Sequence, residues 1–344
     1  MKYVGEVNSL GEPHGDGATT YSDGSKYSGK YQCGLRHGDG AWTGADGGSI
    51  YVGEYSDNFP DGQGTWRWSD GTSYSGYFKG GYRHGKGRMS AADGSIVFSG
   101  EYKDGEQHGH GTMSYANGAI YVGAWDKGRR SGQGVETYID GTTYAGEYKD
   151  GQLCGYGTLT YPDGRGIYFG EFMEGKRHGI GRTSLADGTT YAGEWKDDRP
   201  HGQGTMTDAH ECVVYTGEYI DGNRHGQGTW VDTQGRVIYF GAWRDGLRHG
   251  EGIMRWHDGA HYHGEWREGK RHGHGAMAYA DPNITFSGEW KDGEQHGQGS
   301  MTYVDGTCYT GEWKCGKRSG HGSVTDFGGR MIYTGEWLNG ELVY

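Results

Sequence analysis

The sequence predicts an all-β chain: an elongated, single-layer, twisted antiparallel β-ribbon of successive hairpins. Three observations predict it: a fixed internal period, an alternation of residue character with period two, and tight-turn residues at two points in every period. Fixed-period self-similarity decides architecture first, because each unit of such an array packs only on its neighbours.

The period is 23 or 24 residues. Aligning Tyr3, Tyr27, Tyr51, Tyr74, Phe98, Tyr121, Tyr144, Tyr168, Tyr191, Tyr215, Tyr239, Tyr262, Phe286, Tyr309 and Tyr333 gives fourteen full copies and a truncated fifteenth. The expectation is one continuous array over residues 1–344 with no separate catalytic domain.

Numbered from its leading aromatic, each copy has Gly at position 3 and, in all but the first (Val7), an aromatic at position 5. Two glycines follow around positions 12 and 14, as at Gly38 and Gly40 or Gly297 and Gly299. Positions 16 and 18 are often large and apolar, as at Trp66 and Trp68, Met113 and Tyr115, Met277 and Tyr279, Met301 and Tyr303. Odd positions in the first segment and even ones in the second form a period of two, which means strands.

Turn residues separate the segments. The first segment ends in Lys-Asp-Gly, as at Lys149-Asp150-Gly151 and Lys291-Asp292-Gly293. The second ends in Asp-Gly or Asn-Gly, as at Asn117-Gly118, Asp140-Gly141, Asp187-Gly188 and Asp305-Gly306. Such pairs reach the positive φ that tight hairpins need. Asn58 and Asp198 replace the first-turn Gly, and local irregularity is expected there and at Val7. Folding on these turns pairs position 1 with 16, 3 with 14 and 5 with 12; the next turn pairs 18, 16 and 14 with positions 1, 3 and 5 of the following copy. The extra residue of the longer copies falls in the second turn, except in the first copy, so register survives it.

In this scheme the position-5 ring lies over glycines at its own position 12 and the previous copy's 14, covering strands that lack Cβ atoms. Burying one such ring removes roughly 150–250 Å² from water. The opposite face carries Glu at position 4 in eleven of fifteen copies, with Thr, Ser and Gln at 13, 15 and 17, and is wet. Two strands per copy give a rise near ~10 Å, hence a rod on the order of 140 Å if straight.

Composition excludes several classes. Gly is abundant at 73 residues with Pro at 5, yet no Gly-X-Y triplet persists, so the chain is not collagen. Disorder conflicts with 28 Tyr, 12 Trp and 8 Phe held in fixed phase. No run of 18 apolar residues occurs and Met1 leads directly into the first copy, so neither a spanning helix nor a signal peptide is expected. Cys33, Cys154, Cys212, Cys308 and Cys315 occupy no repeated position and read as free thiols of a reducing, cytoplasmic compartment. A formal charge of −12 argues against nucleic acid as a partner.

The unit Y-x-G-E-W-x-x-G-x-x-H-G-x-G, as in Tyr191–Gly204 and Tyr262–Gly275, resembles the MORN (membrane occupation and recognition nexus) repeat over essentially the whole chain. All-repeat chains of this length resemble the cytoskeletal MORN proteins of kinetoplastid and apicomplexan parasites, and radial-spoke proteins of cilia are similar. The resemblance implies an extended β-ribbon that scaffolds cytoskeleton, cilium or flagellum and often self-associates. Phospholipid binding is a further property proposed for the family.

Candidate chemistry is sparse. His at the start of the second segment recurs ten times: His14, His37, His84, His108, His178, His201, His225, His249, His272 and His296. A hydrogen-bonding role at a strand start is preferred to a metal or pH-sensing ladder, because Asp61, Ser131, Cys154 and Ser319 substitute freely. Cys308 and Cys315 share a copy, but no C-x-x-C or H-x₃-H spacing marks a metal site. The H-G-x-G tracts lack the helix a dinucleotide loop requires. No cofactor, metal or catalytic residue is expected, and the chain reads as a non-enzyme.

Two surfaces remain. An aromatic row that one layer cannot cover would be an exposed apolar stripe, and such stripes mark interfaces. Trp195, Trp243, Trp266, Trp290, Trp313 and Trp337, with Tyr262, Tyr309 and Tyr333, are the residues expected to meet a protein partner. That partner is an amphipathic helix or a second copy of the chain, giving a homodimer through the C-terminal copies and the hairpin Tyr333–Tyr344. The first-turn edge carries the basic pairs Arg129-Arg130, Lys176-Arg177, Lys270-Arg271 and Lys317-Arg318, a weaker candidate for anionic membrane contact.

Overall fold

A computed structural model describes residues 1–162 and 166–343. Among these residues the ordered elements are thirty β-strands, running from Lys2–Val7 to Glu341–Leu342. No helix among them is long and apolar enough to cross a membrane. The chain divides into two compact units, one of Met1–Asp163 with Phe172–Gly175, the other of Gly164–Glu171 with Lys176–Tyr344.

In the first unit the strands from Lys2–Val7 to Gln152–Tyr161 each pair antiparallel with their sequence neighbour within that run, as Lys26–Gln32 does with Leu35–Thr43 and that strand with Ile50–Ser56. In the second unit the same meander runs from Lys176–Leu185 and Thr190–Lys196 to Met331–Leu338. The all-β hairpin ribbon expected from period two is what forms.

The register differs from the expected one in two ways. Positions 1 and 16 pair as expected, as do 3 and 14 (Tyr27 with Trp42, Gly29 with Gly40). Beyond them a bulge intervenes, and Tyr31 faces Arg36 instead of Gly38. Across the second turn, position 16 meets the next copy's position 1, 14 meets 3, and 12 meets 5 (Trp42 with Tyr51, Gly40 with Gly53, Gly38 with Tyr55). The first difference is local: position 12 adopts the left-handed region (Gly38 φ 65°, Gly226 φ 53°), and the bulge there takes up two extra residues on the second strand. The second lies in the second turn, which closes on Thr43 and Ile50. Period-two reasoning cannot see a bulge.

This register lines glycine with glycine. Gly29, Gly40, Gly53, Gly64, Gly76 and Gly87 are successive cross-strand partners in the first unit, and Gly252, Gly264, Gly275, Gly288 and Gly299 in the second. The ring lying over this row belongs to position 1, not to position 5 as expected. A Cβ at Gly40 would collide with the Tyr27 ring, and one at Gly204 with Tyr191. Each such Tyr hydroxyl donates to the position-4 carbonyl, as Tyr51 does to Glu54 and Tyr309 to Glu312, both at 3.0 Å.

First turns are two-residue hairpins with both residues at positive φ, such as Asp104 (50°) and Gly105 (92°). Asn58 (74°) and Asp198 (68°) keep the same conformation, so the irregularity expected there does not occur. Their Oδ1 atoms accept the backbone N–H of Arg36 and Arg177, each at 3.0 Å, offsetting the missing glycine. At Val7 it does occur: Val7 pairs with Pro13, so a five-residue loop replaces the tight turn.

Candidate interaction surface

The rings at positions 1 and 5 form a herringbone. Each position-5 ring stands edge-on to position 1 of its own copy and of the copy before: Trp290 lies 5.1 Å from Phe286 and 5.4 Å from Tyr262, centroid to centroid, at 84° and 85°. Except in Trp337, whose buried indole nitrogen has no hydrogen-bond partner among the described residues, each position-5 indole N–H donates to the previous copy's Gly carbonyl, Trp195 to Gly181 at 3.1 Å and Trp266 to Gly252 at 3.2 Å.

Arginine at position 10 closes the herringbone over. The Arg271 guanidinium lies 4.1 Å from the Trp290 ring centre, Arg318 4.0 Å from Trp337, Arg177 4.5 Å from Trp195 and Arg130 5.0 Å from Tyr148. Each also donates through Nη2 to a turn carbonyl of the next copy, Arg130 to Gly151 at 2.6 Å and Arg318 to Gly340 at 3.0 Å. Burial lowers the pKa of Arg248 and Arg271 from the ordinary arginine value.

The expected exposed stripe is therefore corrected. Trp195, Trp243, Trp266, Trp290, Trp313, Trp337, Tyr262 and Tyr309 are buried within the ribbon's own face, and Tyr333 is half-buried. The ring row is visible in the sequence; the guanidiniums that cover it are not. Tyr344, at the end of the expected interface hairpin, lies outside the described residues.

The basic pairs split. Arg130, Arg177, Arg271 and Arg318 belong to the packing just described and are not free turn charges. Arg129, Lys176, Lys270 and Lys317 are exposed, with Arg129 3.4 Å from Asp150 and Lys176 3.1 Å from Asp197.

Histidines at position 11 face the next copy's first turn. Nδ1 of His84, His201 and His225 lies 3.8, 3.9 and 3.9 Å from Asp104, Asp221 and Asp245. Asp61, at the same position, accepts the Gly80 N–H at 2.9 Å, so this position links successive copies. Among the described residues no cluster of His, Cys, Asp or Glu could hold a metal. Cys308 lies 3.1 Å from Ser300 Oγ, and Cys315 is exposed on a first turn. Glu at position 4 also proves structural: Glu194 and Glu289 each accept the position-13 N–H at 2.8 Å, from Gln203 and Gln298.

Open apolar surface lies farther along the aromatic face, toward the second turns. In the second unit a groove of about 610 Å³ is lined by Met206, Val214, Trp230, Ile238, Met254 and Trp256, with Asp208 and Asp232 among its polar groups. Register shifts after Met206 and after Trp230 make bulge residues of Val214 and Ile238. Each is the extra residue of a 24-residue copy, the sequence signal that marks this place. Trp66, Trp68 and Met89 line a comparable groove of about 510 Å³ in the first unit.

The MORN repeat model matches thirteen times, at residues 27–49, 51–73, 74–96, 98–120, 121–143, 144–164, 168–190, 191–209, 215–235, 239–261, 262–281, 286–308 and 309–326. The chain belongs to the MORN repeat family. MORN repeats are protein- or membrane-interaction scaffolds, and the family is not an enzyme family. The copies beginning at Tyr3 and Tyr333 lie outside the matched segments. No curated protein matches the chain. Among solved structures it is similar to the TCP10 domain of Danio rerio CPAP, at 12% identity and TM-score 0.28, covering 62% of this chain and 94% of that one. The same domain in complex with a peptide of Danio rerio STIL gives 15% identity and TM-score 0.24, covering 81% and 97%. The SAS-4 (dCPAP) TCP domain in complex with a proline-rich motif of Ana2 (dSTIL) of Drosophila melanogaster gives 16% and 0.21, covering 43% and 84%.

Proposed function

We propose that this MORN chain is a non-enzymatic scaffold of the cytoskeleton, cilium or flagellum that holds an amphipathic helix of a partner protein in the groove between Met206 and Trp256. The apolar groove carries the reading, because the aromatic row itself is consumed by internal packing. Its position-16 residues, half-buried Met206 and Trp230 and buried Met254 at its floor, come from three successive copies. Two strands per copy set those residues roughly 9.6 Å apart. Helix residues seven apart rise about 10.5 Å, so apolar side chains at i, i+7 and i+14 match the row.

Proximity labelling in cells with the full chain and with Trp256→Asp tests this. Asp already occupies that position at Asp208, Asp232 and Asp326, so the array tolerates it. Cytoskeletal neighbours labelled by the wild type and lost in the variant are expected; an identical set from both overturns the assignment. Mass in solution reads the alternative occupant, a second copy docked through the C-terminal repeats, which predicts a dimer that Trp256→Asp dissociates.

A second reading, contact with anionic lipid, is favoured by one observation: Arg267 faces Lys270 and Lys314 faces Lys317 directly across first turns. Like charges held opposite one another disfavour the hairpin unless an anion joins them. Flotation with anionic vesicles that weakens as salt rises would support it.

A further inference from the structure

Fifteen copies supply an internal reference for every position, and three departures from it coincide in the copy beginning at Tyr74. Position 4, Glu in eleven copies, is Tyr77. Position 13 is Lys86, and no other copy carries a cation there. Position 15 is Arg88, where most copies carry Thr, Ser or Ala.

The fold assembles these departures on the polar face. Arg88 is the cross-strand partner of both Ser75 and Ser99, and Gly87 of both Gly76 and Gly100. Lys86, Arg88, Ser75, Ser99, Glu101 and His110 line a groove of about 560 Å³ there. In copies with Glu at position 4 the carboxylate can take the position-13 N–H, as Glu54 does for Gln63 at 3.0 Å and Glu218 for Gln227 at 3.1 Å. Tyr77 offers no carboxylate for this, so of the two position-4 carboxylates that can flank position 13 only that of the next copy, Glu101, the cross-strand partner of Lys86, remains. Glu101 is engaged within its own copy, its carboxylate lying where a Cβ at Gly109 would stand.

We propose that this groove binds a phosphate-type oxyanion, a phosphomonoester. Arg88 supplies a planar fork for two oxygens and Lys86 a point charge. The hydroxyls of Ser75 and Ser99 flank the fork as neutral donors, and His110 adds a ring N–H at the rim. In a chain of formal charge −12, two adjacent cations facing the single carboxylate of Glu101 form a local site, not a general polyanion surface. A soluble phosphate ester and a phosphoinositide headgroup present the same dianion. The proposal is independent of the helix groove.

The test uses the full chain and Lys86→Gln/Arg88→Thr, which restores residues that Gln63 and Thr65 already place at these positions. Amide shifts of the isotope-labelled protein are followed while inorganic phosphate replaces chloride at constant ionic strength. Saturable shifts at Ser75, Gly87, Arg88 and Ser99 are expected, weakened by at least about tenfold in the double variant. Vesicles of phosphatidylcholine with or without phosphatidylinositol 4-phosphate form the second arm. Flotation lost in the double variant assigns the headgroup as the source; saturable phosphate binding without flotation assigns a soluble ester. Failure to bind either ligand, or equal binding by wild type and double variant, overturns the proposal.

Discussion

The guanidinium of Arg271 sits 4.1 Å from the centre of the Trp290 ring and donates to the Gly293 carbonyl at 2.8 Å. Both acceptors belong to the following copy. One side chain thus fastens a copy to its successor by its face and by its turn, and Arg36, Arg83, Arg130, Arg177, Arg248 and Arg318 repeat both contacts. A single layer cannot bury aromatics against a second sheet, so long cationic side chains do that work.

Arg271→Lys keeps the charge and removes the planar fork. The loss of stacking and of the turn hydrogen bond should cost about 1–3 kcal/mol. Lys270→Gln, on the exposed side of the same pair, should stay within about 0.5 kcal/mol. Chemical denaturation of the two variants checks this; equal effects would return Arg271 to the surface.

The notch under each position-1 ring predicts a specific non-additivity. Gly204→Ala places a Cβ against the Tyr191 ring and should cost about 1–3 kcal/mol. Tyr191→Ala alone should cost about 3–5 kcal/mol through the cavity it leaves. In the double variant the Gly204→Ala penalty should fall sharply, because the colliding ring is gone. Native-state hydrogen exchange at Gly193 and Gly204 measures each case locally, which suits an array whose copies need not unfold together.

Much of this was legible in the sequence. Tyr and Gly at fixed phase gave strands, turns and half of the register: Tyr27 faces Trp42 as the pattern requires. The other half was hidden because a left-handed Gly38 looks like any strand glycine in a one-letter string. The aromatic row was also legible, but its exposure was not. Whether Trp290 is free depends on Arg271, nineteen residues away in sequence and adjacent in space. The groove at Trp230 was obscured for a related reason, since it depends on bulged Val214 and Ile238 and not on the consensus.

Glu136 stands where Arg248, Arg271 and Arg83 have Met254, Met277 and Met89 beside them. It is buried, 2.7 Å from Arg130 Nη1, and accepts hydrogen bonds from Tyr138 and Tyr148 at 3.0 and 3.2 Å. Glu136→Met recreates the arrangement of the other copies and should be neutral or stabilising by about 1–4 kcal/mol. Glu136→Ala leaves the guanidinium and both phenols beside a void and should destabilise by about 3–5 kcal/mol. Thermal unfolding of both variants distinguishes an ion pair that stabilises the array from one that is merely satisfied.

Stability should fall at both extremes of pH, for opposite reasons. Burial pushes the Tyr74, Tyr102, Tyr121 and Tyr219 hydroxyls up from 10.0 to about 12. A folded value above the unfolded one means their contribution is complete below pH 10 and is lost as pH rises through about 12. Second-turn carboxylates shift the other way. The side-chain hydrogen bond from Ser25, Thr72, Thr189 or Thr307 lowers the pKa of Asp23, Asp70, Asp187 or Asp305 from the ordinary value of 3.8. Their contribution is complete above that value and disappears as pH falls through the lowered one. Phenolate absorbance should therefore rise in a steep step that coincides with loss of the β-sheet circular dichroism signal. Gradual phenolate formation centred on pH 10, with the sheet signal intact, would mean these rings are open to solvent and the herringbone is wrong.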